Sequence, residues 1–130
     1  MMKTTSKILI SLACVVMLAG CARTTPINTQ QTTIVTKNSL PTVKKAILEA
    51  GQKRKWIMNE VSPGIIDGSL NTRKHEVKIR ITYTNKNYAI HYVSSKGLKA
   101  RNGKIHRKYN MWTNILNNDI QMRLASMANQ

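Results

Sequence analysis

The chain has 130 residues, which is one small domain's worth once any leader is removed. Its two cysteines, Cys14 and Cys21, exclude a disulfide-dense scaffold. Lys and Arg number 21 against 5 Asp and Glu, a formal charge of +16, so the chain is suited to anionic partners.

The first element is not part of the fold. Met1–Lys7 is polar and carries Lys3 and Lys7, and Ile8–Met17 is apolar apart from Ser11. A charged start, a short apolar run and small residues after it are the marks of a secretory signal peptide. The run is too short for a stable transmembrane helix, which needs about 20 apolar residues. Leu18-Ala19-Gly20-Cys21 then resembles the lipobox of bacterial lipoproteins. The resemblance implies a signal peptide over residues 1–20, a thioether-linked diacylglyceryl group on Cys21, cleavage between Gly20 and Cys21, and acylation of the new amino group. It also implies an outer-membrane address facing the periplasm, because Ala22 stands where an Asp would signal inner-membrane retention. An ordinary secretory signal with a chance cysteine is the alternative. Each buried acyl CH₂ contributes about 0.8 kcal/mol, so two or three chains anchor durably where one does not. Loss of Lys3 and Lys7 with the leader lowers the formal charge from +16 to +14. With Cys14 discarded and Cys21 lipidated, no disulfide remains and a hydrophobic core must hold the domain together.

Residues 21–38 read as the lipidated cysteine and a flexible tether, rich in Thr, Gln and Asn, spanning roughly 20–25 Å. Ile34 and Val35 could instead open a short edge strand. The domain proper is then 39–130. Pro41–Ala50 fits a helix: Ser39 or Asn38 can cap it, Pro41 is tolerated in its first turn, and Val43, Ala46, Ile47 and Ala50 share one face. Gly51 suits its end. Trp56–Val61 and Ile65–Leu70 read as strands joined through Pro63-Gly64.

The clearest pattern follows. Val77, Ile79, Ile81 and Tyr83 alternate with Glu76, Lys78, Arg80 and Thr82, as in a half-buried strand. A two-residue turn at Asn85-Lys86 would place Tyr83 opposite Tyr88, Ile81 opposite Ile90 and Ile79 opposite Tyr92. Ser94–Lys104 reads as a loop. A last helix starts near His106 or Lys108 and carries Tyr109, Trp112, Ile115, Leu116, Ile120 and Leu124 as its apolar stripe. The expected class is α+β: an antiparallel sheet of about four strands with an N-terminal and a C-terminal helix on one face.

Candidate chemistry is sparse. His75, His91 and His106 lack ligand spacing or a supporting acid, so no metal and no cofactor are expected. Ser62, Ser69, Ser94 and Ser95 lie in no nucleophile elbow. Glu60 and Asp67 would face each other across a two-residue Pro63-Gly64 hairpin, the one arrangement that could serve acid–base work. Trp56 follows Lys53-Arg54-Lys55 and is either a core anchor or a half-exposed ring beside cations. The richest feature is basic: Lys96, Lys99, Arg101, Lys104, Arg107 and Lys108 succeed one another without an acid, the last of them near a helix start where backbone N–H groups receive anions. A solvated loop is the plainer reading of that stretch.

Trp56, Pro63-Gly64, the Ile79–Tyr83 and Tyr88–Tyr92 strands, Ile105-His106 and Tyr109-Asn110-Met111-Trp112 together look like the globular part of small proteobacterial envelope lipoproteins of unknown function. The resemblance covers about three-fifths of the chain and implies a fold more than an activity. Export argues against nucleic acid. The expected role is a noncatalytic binding or accessory module, held to the membrane through Cys21. Its expected partner is anionic: lipid headgroups, lipopolysaccharide, peptidoglycan or an acidic envelope protein. The alternative is a small periplasmic cell-wall-active enzyme.

Overall fold

A computed structural model describes residues 23–128 of the chain. The expected signal peptide, residues 1–20, and Cys21 lie outside the described residues. In chain order the elements are β1 (Thr24–Pro26), β2 (Gln30–Thr33), α1 (Leu40–Lys53), β3 (Ile57–Ser62), β4 (Ile65–Asn71), β5 (Glu76–Tyr83), β6 (Asn87–Lys96), β7 (Lys104–His106) and α2 (Lys108–Ala128). The class is α+β. The main sheet has five strands in the order β2-β6-β5-β4-β3, and β1 pairs with β7 in a separate two-stranded sheet. Every pairing is antiparallel.

The inward parity of the strands builds the core. Met58, Ile66, Leu70, Val77, Ile79, Ile81, Tyr83, Tyr88 and Ile90 are buried in one cluster with Val43, Ala46, Ile47 and Ala50 of α1 and Tyr109, Leu116, Ile120 and Leu124 of α2. Both helices therefore cover one face of the sheet and leave the other to solvent. Full burial of a single branched side chain such as Ile47 contributes roughly 1.5–3 kcal/mol, so this cluster supplies the driving force for folding.

The central hairpin has the register that its sequence implies. Tyr83 pairs with Tyr88, Ile81 with Ile90 and Ile79 with Tyr92; a bulge then shifts Lys78 onto Ser94. The turn is closed by a side chain, not by positive φ at Asn85. The Thr84 hydroxyl accepts from the Lys86 and Asn87 amides, each at 3.1 Å, the local bonding that lets Thr start a turn.

Helix α1 starts as expected. Ser39 Oγ accepts from the Thr42 amide at 3.3 Å and Pro41 sits in the first turn. It runs past Gly51 to Lys53, and the left-handed residue after it is Lys55, at φ 69°. Gly51 has a different role: a Cβ there would lie 2.7–2.8 Å from the Met58 side chain, so the bare Cα admits β3 to the helix. Trp56 is core, only 3% exposed.

The expected tether is the main correction. Residues 24–26 and 30–33 form strands, and β2 lies along β6 with Gln30 opposite Ile90 and Thr33 opposite Asn87. The sheet therefore has a fifth strand. Composition conceals it because the residues that β2 turns toward the helix are polar and find polar partners there. Thr32 Oγ1 donates to Asn117 Oδ1 at 2.9 Å, and Gln30 donates to Asn114. Ile27 and Ile34 pack on the core from either side of the strand.

Asn110 fixes the start of this segment. It is 8% exposed, donates to the Pro26 carbonyl at 2.9 Å and accepts from the Asn28 amide at 3.2 Å. With Thr113 it rotates the buried stripe of α2 away from Ile115 and Trp112, which are only partly buried. Replacing Asn110 with Ala strands two backbone groups and is expected to cost about 1–3 kcal/mol. Denaturant titration checks this; an unchanged midpoint would mean that β1 and β2 are not anchored through this side chain.

Candidate functional site

Negative charge is scarce in this chain, and all of it is engaged. Glu60 pairs with Lys44, and Glu49 with Arg123 and, at 4.0 Å, with Lys45. Asp119 pairs with Arg54 at 2.7 Å. Asp67 receives Arg80 bidentately at 2.7 and 3.0 Å. Glu76 lies 3.9 Å from Lys78 and 3.8 Å from Lys96. Exposed pairs like these contribute little stability. Their importance is positional: Glu49, Glu60 and Asp67 neutralise helix flanks and the open sheet face, whereas Glu76 and Asp119, the partner of the α1 cap residue Arg54, lie near one end of the sheet.

Antiparallel connections alternate between the two ends of the sheet, and the unpaired cations fall mostly at one of them. That end receives the α1–β3 connection with Lys53 and Lys55, the β4–β5 loop with Arg73 and Lys74, and the β6–β7 segment with Lys99. The β7–α2 junction with Arg107 and Lys108 and the start of β1 with Arg23 complete it. The opposite end has the uncharged Pro63-Gly64 turn, with Lys86 in the β5–β6 turn and Lys37 before α1. Among the described residues, no carboxylate lies within ion-pair distance of Arg23, Arg73, Lys74, Lys99, Arg107 or Lys108.

Backbone geometry draws these loops together. Gly97 has φ 80°, and a Cβ on it would lie 2.4 Å from the Lys74 carbonyl oxygen. The β4–β5 loop therefore rests directly on the chain leaving β6. The His106 amide donates to the Leu98 carbonyl at 2.8 Å. Asn102 and Gly103, at φ 52° and 75°, form the positive-φ turn that joins Arg101 to Lys104. Across β7, Thr24 pairs with His106, which places Arg23 beside the β7–α2 junction. His75 meets the Trp112 ring edge-on at 5.9 Å and ties the β4–β5 loop to the first turns of α2.

His106 lies at the centre of this end. Its Nδ1 accepts from the Lys108 amide at 3.2 Å, satisfying one of the orphan donors at the start of α2. That bond requires an unprotonated Nδ1. Burial, then Lys108, Arg107, His75 and Lys99, hold the imidazole below its ordinary value of 6.5.

The basic run expected from sequence is thus divided. Lys99, Arg107 and Lys108 gather around His106. Lys96 leans toward Glu76, and Arg101 and Lys104 flank the turn at the back of a small hairpin. Arg23, Arg73, Lys74, Lys53 and Lys55 were outside that expectation. The Asn102-Gly103 dipeptide, a strong hairpin signal, could have revealed the folding-back of Leu98–His106. The alternation of connections could have placed Arg73-Lys74 at the same end.

The acid pair of the enzymatic alternative does not form. The irregularity between Glu60 and Ser62 shifts the hairpin register by one residue, so Asn59 pairs with Asp67 and Glu60 with Ile66. A one-residue shift reverses faces. Glu60 turns toward Lys44 on α1, and Asp67 stays on the open face with Arg80. His91 lies opposite Arg80, and its Nε2 is 3.1 Å from Thr82 Oγ1. Among the described residues, no three His, Cys, Asp or Glu side chains are placed to hold a metal ion, and no helix is long and apolar enough to cross a membrane. No protein-family model matches the chain, and neither does any curated protein searched.

Two outcomes test this geometry. Gly97→Ala is expected to destabilise by about 1–3 kcal/mol, because the new methyl meets a carbonyl and the φ is positive. A denaturation midpoint equal to wild type would show the loop contact to be absent. Because folding depresses the His106 pKa, the unfolded chain binds its proton first as pH falls below 6.5. This residue's contribution is therefore whole above that pH and declines as pH falls through the folded-state value. His106→Asn, which retains an acceptor, is expected to flatten the loss of stability between neutral and mildly acidic pH; parallel wild-type and variant curves would contradict it.

Proposed function

We propose that this chain is a lipid-anchored envelope protein, attached through Cys21 and facing the periplasm, whose domain acts as a noncatalytic binding or accessory module through its basic end. The observation carrying this reading is the charge layout: every Asp and Glu side chain is engaged, and most of the remaining cations converge on one end. Aligned positive charge of this kind attracts and orients anionic partners. Phosphate and carboxylate surfaces of the envelope are opposite to it in sign. The lipobox-like Leu18-Ala19-Gly20-Cys21 supports the address, and Ala22 supports the outer membrane. The separation of Glu60 from Asp67 removes the specific support for the cell-wall-enzyme reading.

The test is cosedimentation with isolated envelope fragments. Replacing Lys74, Lys99, Arg107 and Lys108 with Gln is expected to reduce binding of the unlipidated domain by tenfold or more, at roughly 1 kcal/mol per cation. Raised salt is expected to mimic the effect. Unchanged, salt-insensitive binding would overturn the basic end as the docking surface. Mass spectrometry of the mature protein is expected to find lipid on Cys21; a free thiol there would overturn the address.

A further inference from the structure

We propose that the surface met by the basic end is the anionic headgroup layer of the same membrane that receives the Cys21 lipid, so that the domain stands end-on against its own bilayer. This inference rests on the lipidated, basic-end reading above and assigns it a partner.

The length of chain between anchor and fold carries the argument. β1 begins at Thr24, so three residue steps separate it from Cys21. Fully extended, they span about 10 Å. Thr24 is paired with His106, around which Lys99, Arg107 and Lys108 gather. The point where the lipid leaves the chain is therefore held close to the cationic end and far from the end with Pro63-Gly64 and Lys86. A free tether over residues 22–38 would have let the domain turn any face toward the membrane. The docked strands remove that freedom.

Charge then decides what the end does at that distance. The screening length at physiological ionic strength is about 8 Å, similar to the reach of the linking residues. Headgroup phosphates at the anchor point are therefore within electrostatic range of Arg23, Arg73, Lys74, Lys99, Arg107 and Lys108. Each cation near an anionic leaflet strengthens association by roughly fivefold. A lipid and a polybasic patch acting together make a two-signal anchor. Peptidoglycan carboxylates lie on the far side of such a domain and would meet the opposite end first.

Lysine footprinting of the mature lipidated protein, reconstituted into vesicles, tests this. The vesicles are phosphatidylcholine alone or phosphatidylcholine with phosphatidylglycerol. Lys74, Lys99 and Lys108 are expected to be acylated at least about threefold more slowly in the anionic vesicles, with the difference lost at high salt. Lys37 and Lys86 are expected to react alike in both. Combining R73Q, K99Q and R107Q is expected to abolish the protection of Lys74 and Lys108. Equal labelling in both vesicles, with protection by purified sacculi, would overturn the membrane assignment and leave the basic end as a docking surface. Equal labelling with no protection by sacculi would overturn both.

Discussion

The three backbone pairs between Thr24–Pro26 and Lys104–His106 govern the rest of the arrangement. They are short and carry little apolar surface of their own. Their effect comes from what they join: the start of the fold, the basic β6–β7 segment and, through the Asn110 amide, the first turn of α2. Without them the residues before β2 would be a loose arm and the cations of Arg23 and Arg107 would have no fixed relation. With them, the first residues of the domain and its cationic end become one rigid unit.

The same economy governs charge. A chain with five carboxylates among so many bases cannot neutralise its whole surface. It places its acids where strands and helices present long side chains in parallel, as with Asp67 under Arg80 and Asp119 under Arg54, and there the Arg neighbour holds each carboxyl below the usual carboxylate range. The loops at one end receive almost none. Self-repulsion among those loops is opposed by backbone contacts that do not depend on charge, notably Gly97 under Lys74 and the Leu98–His106 hydrogen bond. An end kept together against its own repulsion is relieved when an anion approaches, which is the physical basis for treating it as a docking surface.

Much of the fold was legible because periodicity reports burial. The alternation over Glu76–Tyr83 and the spacing of Val43, Ala46, Ile47 and Ala50 each fixed an inward face, and the hairpin register followed from a two-residue turn. Legibility failed where inward residues are polar. Gln30 and Thr32 meet Asn114 and Asn117 across the β2–α2 seam, so neither segment signals its burial by hydropathy. It failed again at Glu60, where a bulge absent from any residue pattern shifts the register and separates the two acids. Of the basic end, only the contiguous run was visible; Arg23 and Arg73-Lys74 join it through topology.

Amide hydrogen exchange at Ile27 and Ile34 tests the central claim most directly. The Ile27 amide donates to the Gly103 carbonyl at 2.9 Å and the Ile34 amide to the Lys86 carbonyl at 2.8 Å. If the chain before α1 is docked as described, both exchange orders of magnitude more slowly than a random coil, at rates approaching those of β5 and β6. Exchange at coil rates in an otherwise protected domain would show that this segment swings free, and the link between the chain's start and its basic end would fail with it.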